Sequence, residues 1–127
     1  MSQIEKEFLA EECAVDESEV YNSYPIEKNE VLLFTSPFDQ KILDRTKIRT
    51  ARKRDKSGEF TIKGEQFKAE FEVALTIPAF ISLFDNDHYF PDEFGFESYP
   101  EMWAYYGLYF QNGDLVVVHK IIDLESE

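Results

Sequence analysis

A chain of 127 residues, 43% of them hydrophobic and 16% aromatic, is long enough for one compact domain and too short for two independent cores. Folding at this size buries ~65–70% of the surface, so a core forms without cross-links, and the single cysteine, Cys13, excludes an intramolecular disulfide framework. The 26 Asp and Glu residues against 13 Lys and Arg give a formal charge of -13, which repels phosphate backbones at long range and argues against indiscriminate nucleic-acid binding.

From the N-terminus, Ile4, Phe8, Leu9 and Cys13 recur at helical spacing among acidic residues, which predicts a short amphipathic helix over 3–14. A polar connector over 16–24 follows, and residues 1–29 together read as an acidic N-terminal extension to a domain over 30–127. The first residues have neither the basic start nor the apolar block of a signal peptide, and no segment approaches the ~20 apolar residues of a membrane span. With one cysteine, a reducing, cytoplasmic setting without membrane contact is the expectation.

Val31–Phe34 is a short apolar run that reads as a buried strand. Ser36 then offers an N-cap and Pro37 a first helical position, with Phe38, Ile42 and Leu43 on one face of one or two helical turns. Residues 46–54 and 59–62 read as two strands of a hairpin around Asp55–Gly58. Phe67, Ala69, Phe71, Val73 and Leu75 alternate with Lys68, Glu70, Glu72 and Ala74, the period of a half-buried strand ending before Pro78. Ser98–Glu101 opens a helix with a capping-box pattern that Gly107 is placed to close, and Leu115–Ile122 reads as a final buried strand after an Asn112–Gly113 turn. Mostly strands with two or three short helices imply an α+β domain or a small mixed barrel.

Charge is unevenly spread. Arg45, Lys47, Arg49, Arg52, Lys53, Arg54 and Lys56 place seven of the thirteen basic residues within 44–56, opposed there only by Asp44 and Asp55. The strip fits a solvated surface whose long stems cover apolar neighbours, and it equally fits a local anion-binding site on an acidic body.

Within this strip, Ile42-Leu-Asp-Arg-Thr-Lys-Ile-Arg-Thr-Ala-Arg52 resembles the ASCH domain family, in which a short helix leads into a Lys-Thr-x-Thr-x-Arg-like strand. The order of elements from Val31 to Ile122 is also similar: an alternating strand, an acidic and aromatic segment, a short helix and a closing apolar strand. The resemblance implies a PUA-like small mixed β-barrel with two or three short helices and an association with RNA. It is nearest to small bacterial members similar to acetylcytidine amidohydrolases, where a lysine, a threonine and a glutamate are the proposed catalytic groups. By position Lys47 and Thr50 match the lysine and threonine, and Arg52 the following arginine. Asp44–Arg45 replaces the usual small residue and glycine, Ile48 stands where the family often has its first threonine, and the glutamate falls on Glu93 or Glu97, with Glu93 preferred.

These residue types make chemical sense together. A threonine hydroxyl becomes nucleophilic when a neighbouring base takes its proton, and lysine serves as that base when burial or nearby cations lower its pKa. A glutamate would then orient the lysine or handle the leaving-group proton. Regular strand geometry opposes the arrangement, since positions 47 and 50 point to opposite faces unless the backbone turns near 46–48. For nucleic acid without catalysis, Arg45, Arg49, Arg52 and Lys53 supply cations. Stacking surfaces come from the ten of twenty aromatics that lie between Tyr89 and Phe110; most of these are expected in the core, with Tyr89, Trp103 and Tyr105 at a pocket rim. His88, beside Asp85 and Asp87, lacks a second ligand cluster and His119 lies in an apolar strand, so neither metal nor cofactor is expected. Two functions are expected: an RNA- or modified-nucleoside-binding domain, to which the resemblance adds hydrolysis of an amide on a modified cytidine as an optional activity, or an acidic interaction protein, a nucleic-acid mimic or small phage-type effector, that binds a basic protein partner.

Overall fold

A computed structural model of the chain describes residues 20–21, 34–111 and 113–124, the first two by their main chain alone. The helix expected over 3–14 and the run Val31–Leu33 lie outside the described residues, and Phe34 belongs to no strand. The described elements are β1 (Val20–Tyr21), α1 (Phe38–Leu43), β2 (Arg49–Arg52), β3 (Gly58–Ile62), β4 (Glu65–Thr76), α2 (Ile77–Asp85), a 3-10 turn (Pro91–Phe94), α3 (Tyr99–Tyr109) and β5 (Leu115–Asp123). They form an α+β fold around one antiparallel sheet ordered β1-β4-β5-β2, with β3 also paired to β4.

The twelve-residue β4 organises the sheet. Its alternating apolar positions are buried on both faces, and a strand has only two edges. One edge takes β5 along its length from Phe67 to Thr76, and the other is shared by β3 at Glu65–Ala69 and β1 at Ala74–Leu75. A strand is thus drawn from the stretch read as a polar connector. A β-bulge between Phe71 and Val73 leaves Glu72 as the extra residue and re-aims its side chain. The order among the described residues is open: β2 ends the path beside β5.

The hairpin expected over 46–62 does not form. β2 pairs with β5 and β3 with β4, because the tight turn lies at Lys63–Gly64, where φ values of 49° and 88° give the two left-handed residues that a twisted hairpin requires. The segment between β2 and β3 is a loop, pinned by the Lys56 N–H donated to His119 Nε2 at 2.9 Å and by Asp55, which accepts from the N–H and hydroxyl of Ser57.

α1 begins at Phe38, after a cis Ser36–Pro37 bond, and the carbonyl of Thr35, in place of the Ser36 side chain, accepts the Phe38 and Asp39 N–H groups. α2 was not expected: Pro78 lies in its first turn, a favourable helical position, and Ala79, Phe80, Leu83 and Phe84 bury one face. Ser98 Oγ caps α3 by accepting the Glu101 N–H, and α3 runs through Gly107 to Tyr109 instead of closing there. α2, the 3-10 turn and α3 cover one face of the sheet with Val73, Leu75, Phe80, Phe94, Met102, Val116 and Val118 in the main core. Ile42, Ile62 and Phe67 form a smaller cluster with Phe34, Leu43, Phe60 and Ile121. Among the described residues no helix is long and apolar enough to cross a membrane.

Candidate functional site

The outer edge of β2 carries no strand among the described residues, and a cavity of about 280 Å³ opens along it. Its walls are Thr50, Ala51 and Arg52 of β2, Lys47 just before it, Phe34, Thr35 and Phe38 at the start of α1, Phe96, and Tyr105, Tyr106 and Tyr109 of α3. Three consecutive strand residues border one space because the space runs along the strand's edge; on a single face only alternate residues would reach it. The steric objection to Lys47 and Thr50 sharing a site is removed in the same way, since Thr46–Ile48 precede the strand and Arg45 has a left-handed φ of 60°.

Lys47 is 3% exposed, and its Nζ donates to the carbonyl of Phe94 at 2.7 Å. The amine lies 5.3 Å from the centre of the Phe38 ring and 6.0 Å from that of Phe34. Burial, reinforced by the charges of Arg52 and Lys41, holds it well below the usual lysine range. The low-dielectric surroundings penalise the charged form, so this amine gives up its proton more readily than a surface lysine. Lys41 donates to the next carbonyl, that of Gly95, at 2.5 Å. Gly95 permits both contacts: its φ is 91°, and a Cβ there would lie 3.2 Å from Phe38 and 3.3 Å from the Lys47 stem. Arg52 lays its guanidinium 4.8 Å from the Phe34 ring centre, so both basic side chains of the cavity wall converge on one aromatic ring. Tyr106 is buried, with a hydrogen bond to the main chain of Ala51, and burial pushes its phenol up so that it stays neutral.

Of the residues anticipated for chemistry or binding, Lys47, Thr50, Arg52 and Tyr105 meet at this cavity. Glu93 does not line it. Arg49 points to the opposite side of β2 from Thr50 and binds Glu93 Oε2 and Glu72, the latter at 3.0 Å from Nε, while Glu93 Oε1 accepts the Phe90 N–H. Tyr89 lies beneath this group, its ring 4.7 Å from the Arg49 guanidinium, and is buried instead of forming a rim. Burial and the Glu72 carboxylate push the Tyr89 phenol up. Arg45 pairs with Asp123 and with Glu65 at 3.7 Å, Lys53 with Asp114 at 3.6 Å, and Trp103 stacks on Tyr99 one helical turn away. Lys53 also reaches the cavity wall, 5.0 Å from the Tyr109 ring centre.

The aromatic walls Phe34, Phe38, Phe96, Tyr106 and Tyr109 were not singled out by sequence reasoning, nor were Lys41 and Gly95. Only Gly95, between two phenylalanines, carried a local signal of close backbone approach. Among the described residues no group of three or more His, Cys, Asp or Glu is placed to hold a metal ion. His88 packs against Tyr89, and His119 is fully buried opposite Thr50. Compared with protein-family models, curated proteins and solved structures, the chain matches none.

Proposed function

We propose that this chain is an ASCH-like, PUA-like domain whose cavity receives the base of an RNA nucleotide or a modified nucleoside, with Lys47 and Thr50 at the reacting end. The observation that carries the reading is that a buried, charge-disfavoured lysine and the threonine three residues later line one aromatic cavity. At the lower end of the ~300–1,000 Å³ of ligand pockets, the space suits one base and excludes a duplex. Rings on several sides offer stacking, which is worth ~1–3 kcal/mol per base and needs little sequence preference.

The chemistry that fits is cleavage of an exocyclic amide. Lys47 Nζ takes the Thr50 hydroxyl proton as Oγ1 bonds to the acyl carbon; the C–N bond then breaks and the amine of the base leaves with the proton from Lys47. Water hydrolyses the acyl-threonine, releasing a carboxylic acid and restoring the hydroxyl. Glu93 has no step in this scheme, because Arg49 and the Phe90 N–H engage its two oxygens.

The test is acetate release from acetylcytidine by the full chain. Turnover by the wild type that is lost in both Thr50→Val and Lys47→Met, with folding retained, is the expected result. Turnover unchanged in either variant overturns the scheme. Binding of acetylcytidine without turnover retains the nucleoside site and removes the hydrolase, and no binding at millimolar ligand removes both in favour of a basic protein partner for the acidic surface.

A further inference from the structure

We infer that the occupant of the cavity carries a phosphate, a nucleotide in place of a neutral nucleoside, and that Arg52 and the loop of residues 53–57 receive it. The inference rests on the nucleoside reading and names the ligand class. The described cavity wall contains two basic side chains, Lys47 and Arg52, and no carboxylate, in a chain whose acidic residues outnumber its basic ones 26 to 13. An aromatic cage of this kind would suit an organic cation, but the Arg52 guanidinium inside it opposes one, and no carboxylate of the described wall offsets that charge. An anion is the ligand that it favours.

The wall has polarity. Lys47 is its buried end, whereas Arg52 leads directly into the loop that bears Lys53, Arg54 and Lys56. With ~3.3 Å rise per strand residue, Arg52 lies ~7 Å beyond Thr50, a displacement suited to the sugar and phosphate of a nucleotide whose base amide is at Thr50. The guanidinium lies over the Phe34 ring, and a planar fork positioned in this way loses little freedom on gripping a phosphate. Asp55, the one acid in the loop, is engaged within the protein: its Oδ1 accepts from the N–H and hydroxyl of Ser57 and lies 3.6 Å from His119. The loop is anchored as well, through the Lys56 N–H on His119. In accord with a concentration of positive charge, partial burial together with the charges of Arg52 and Arg54 lowers the Lys56 amine. Tyr105 and Tyr109, 47% and 41% exposed, stand at the cavity mouth as stacking surfaces for the attached base.

The experiment titrates the full chain with cytidine, cytidine 5′-monophosphate, cytidine 3′-monophosphate, a cytidine dinucleotide and inorganic phosphate, at about 50 and 200 mM salt. At least one phosphorylated ligand is expected to bind tenfold or more tightly than cytidine, with the advantage shrinking at the higher salt and falling below threefold in Arg52→Gln. The dinucleotide against the monophosphates distinguishes an internal RNA phosphate from a free nucleotide. Should Arg52→Gln not fold, the double variant Arg54→Gln, Lys56→Gln on the loop is expected to reduce the same advantage. Equal binding of cytidine and every phosphorylated form overturns the inference and leaves the nucleoside reading intact. Failure of all of them to bind overturns the nucleoside reading itself, and a phosphate advantage insensitive to both sets of substitutions overturns the placement.

Discussion

Replacing Lys47 by methionine separates a buried neutral amine from an ordinary surface lysine. Met keeps the length and apolar character of the stem between Phe34 and Phe38 and removes the titrating group. The lost donor to the Phe94 carbonyl costs ~1 kcal/mol at every pH. The pH-dependent part has the opposite character. In the unfolded chain Lys47 holds its proton up to ~10.4, whereas in the folded chain burial and the charges of Arg52 and Lys41 release it well below that value. Within this window the unfolded state carries one more proton than the folded state, so wild-type stability rises with pH by ~1.4 kcal/mol per unit, relative to the variant. The gain accumulates over the window between the lowered folded-state value and the unfolded ~10.4. Urea unfolding of both proteins across this range reads it directly, since other titrating groups are common to both. A wild-type minus variant difference that stays constant would show that Lys47 is charged in the folded protein and is no base.

Three further outcomes follow from the same structure. His119 is fully buried, and burial, against the pull of Asp55, pushes its imidazole down to about 4. The folded protein therefore resists protonation between pH 6.5 and 4 while the unfolded chain accepts it, and wild-type stability should fall by ~3 kcal/mol more over this window than that of His119→Gln; equal acid sensitivity in unfolding curves would contradict the buried neutral ring. Gly107 sits inside α3 with a backbone outside the left-handed region and nothing within 4 Å of the place an added methyl would take, so Gly107→Ala should raise stability by ~0.5–1 kcal/mol in thermal melts, and destabilisation would mean that the helix ends before it. Arg49→Met leaves Glu72 and Glu93 facing each other without their shared cation, for a loss of ~2 kcal/mol, yet ligand binding should persist because the cluster lies outside the cavity; a loss of binding with the fold retained would place Arg49 in the site.

Local periodicity made the single elements legible. The alternation from Phe67 to Leu75, the apolar run at Leu115–Ile122, the cap at Ser98 and the short helix at Phe38–Leu43 are each set by neighbouring residues, and each stands in the fold close to its expected bounds. Pairing was less legible because it depends on distant partners. Asp55–Gly58 has good turn composition, but the loop there serves a crossing between β2 and β3, and the hairpin signal lay in the less conspicuous Lys63–Gly64. Pro78 reads equally as the end of a strand and as the first turn of a helix, and the burial of Phe80, Leu83 and Phe84 decides for the helix. The same division holds for the site. Lys47, Thr50 and Arg52 were visible as a basic strip with a spaced threonine, whereas the rings around them come from α1, the segment after the 3-10 turn and α3, whose convergence on the edge of β2 no local pattern encodes. Glu93 and Tyr89, close in sequence to those rings, belong instead to the Arg49 cluster on the other side of the strand.

If the edge of β2 is a nucleoside site, the most direct measurement is an amide chemical-shift titration of the labelled full chain with acetylcytidine. Saturable shifts are predicted at Lys47, Thr50–Arg52, Phe96 and Tyr105–Tyr109, with the Arg49, Glu72 and Glu93 cluster moving less. Saturable shifts centred elsewhere, or none at millimolar ligand, would contradict the assignment.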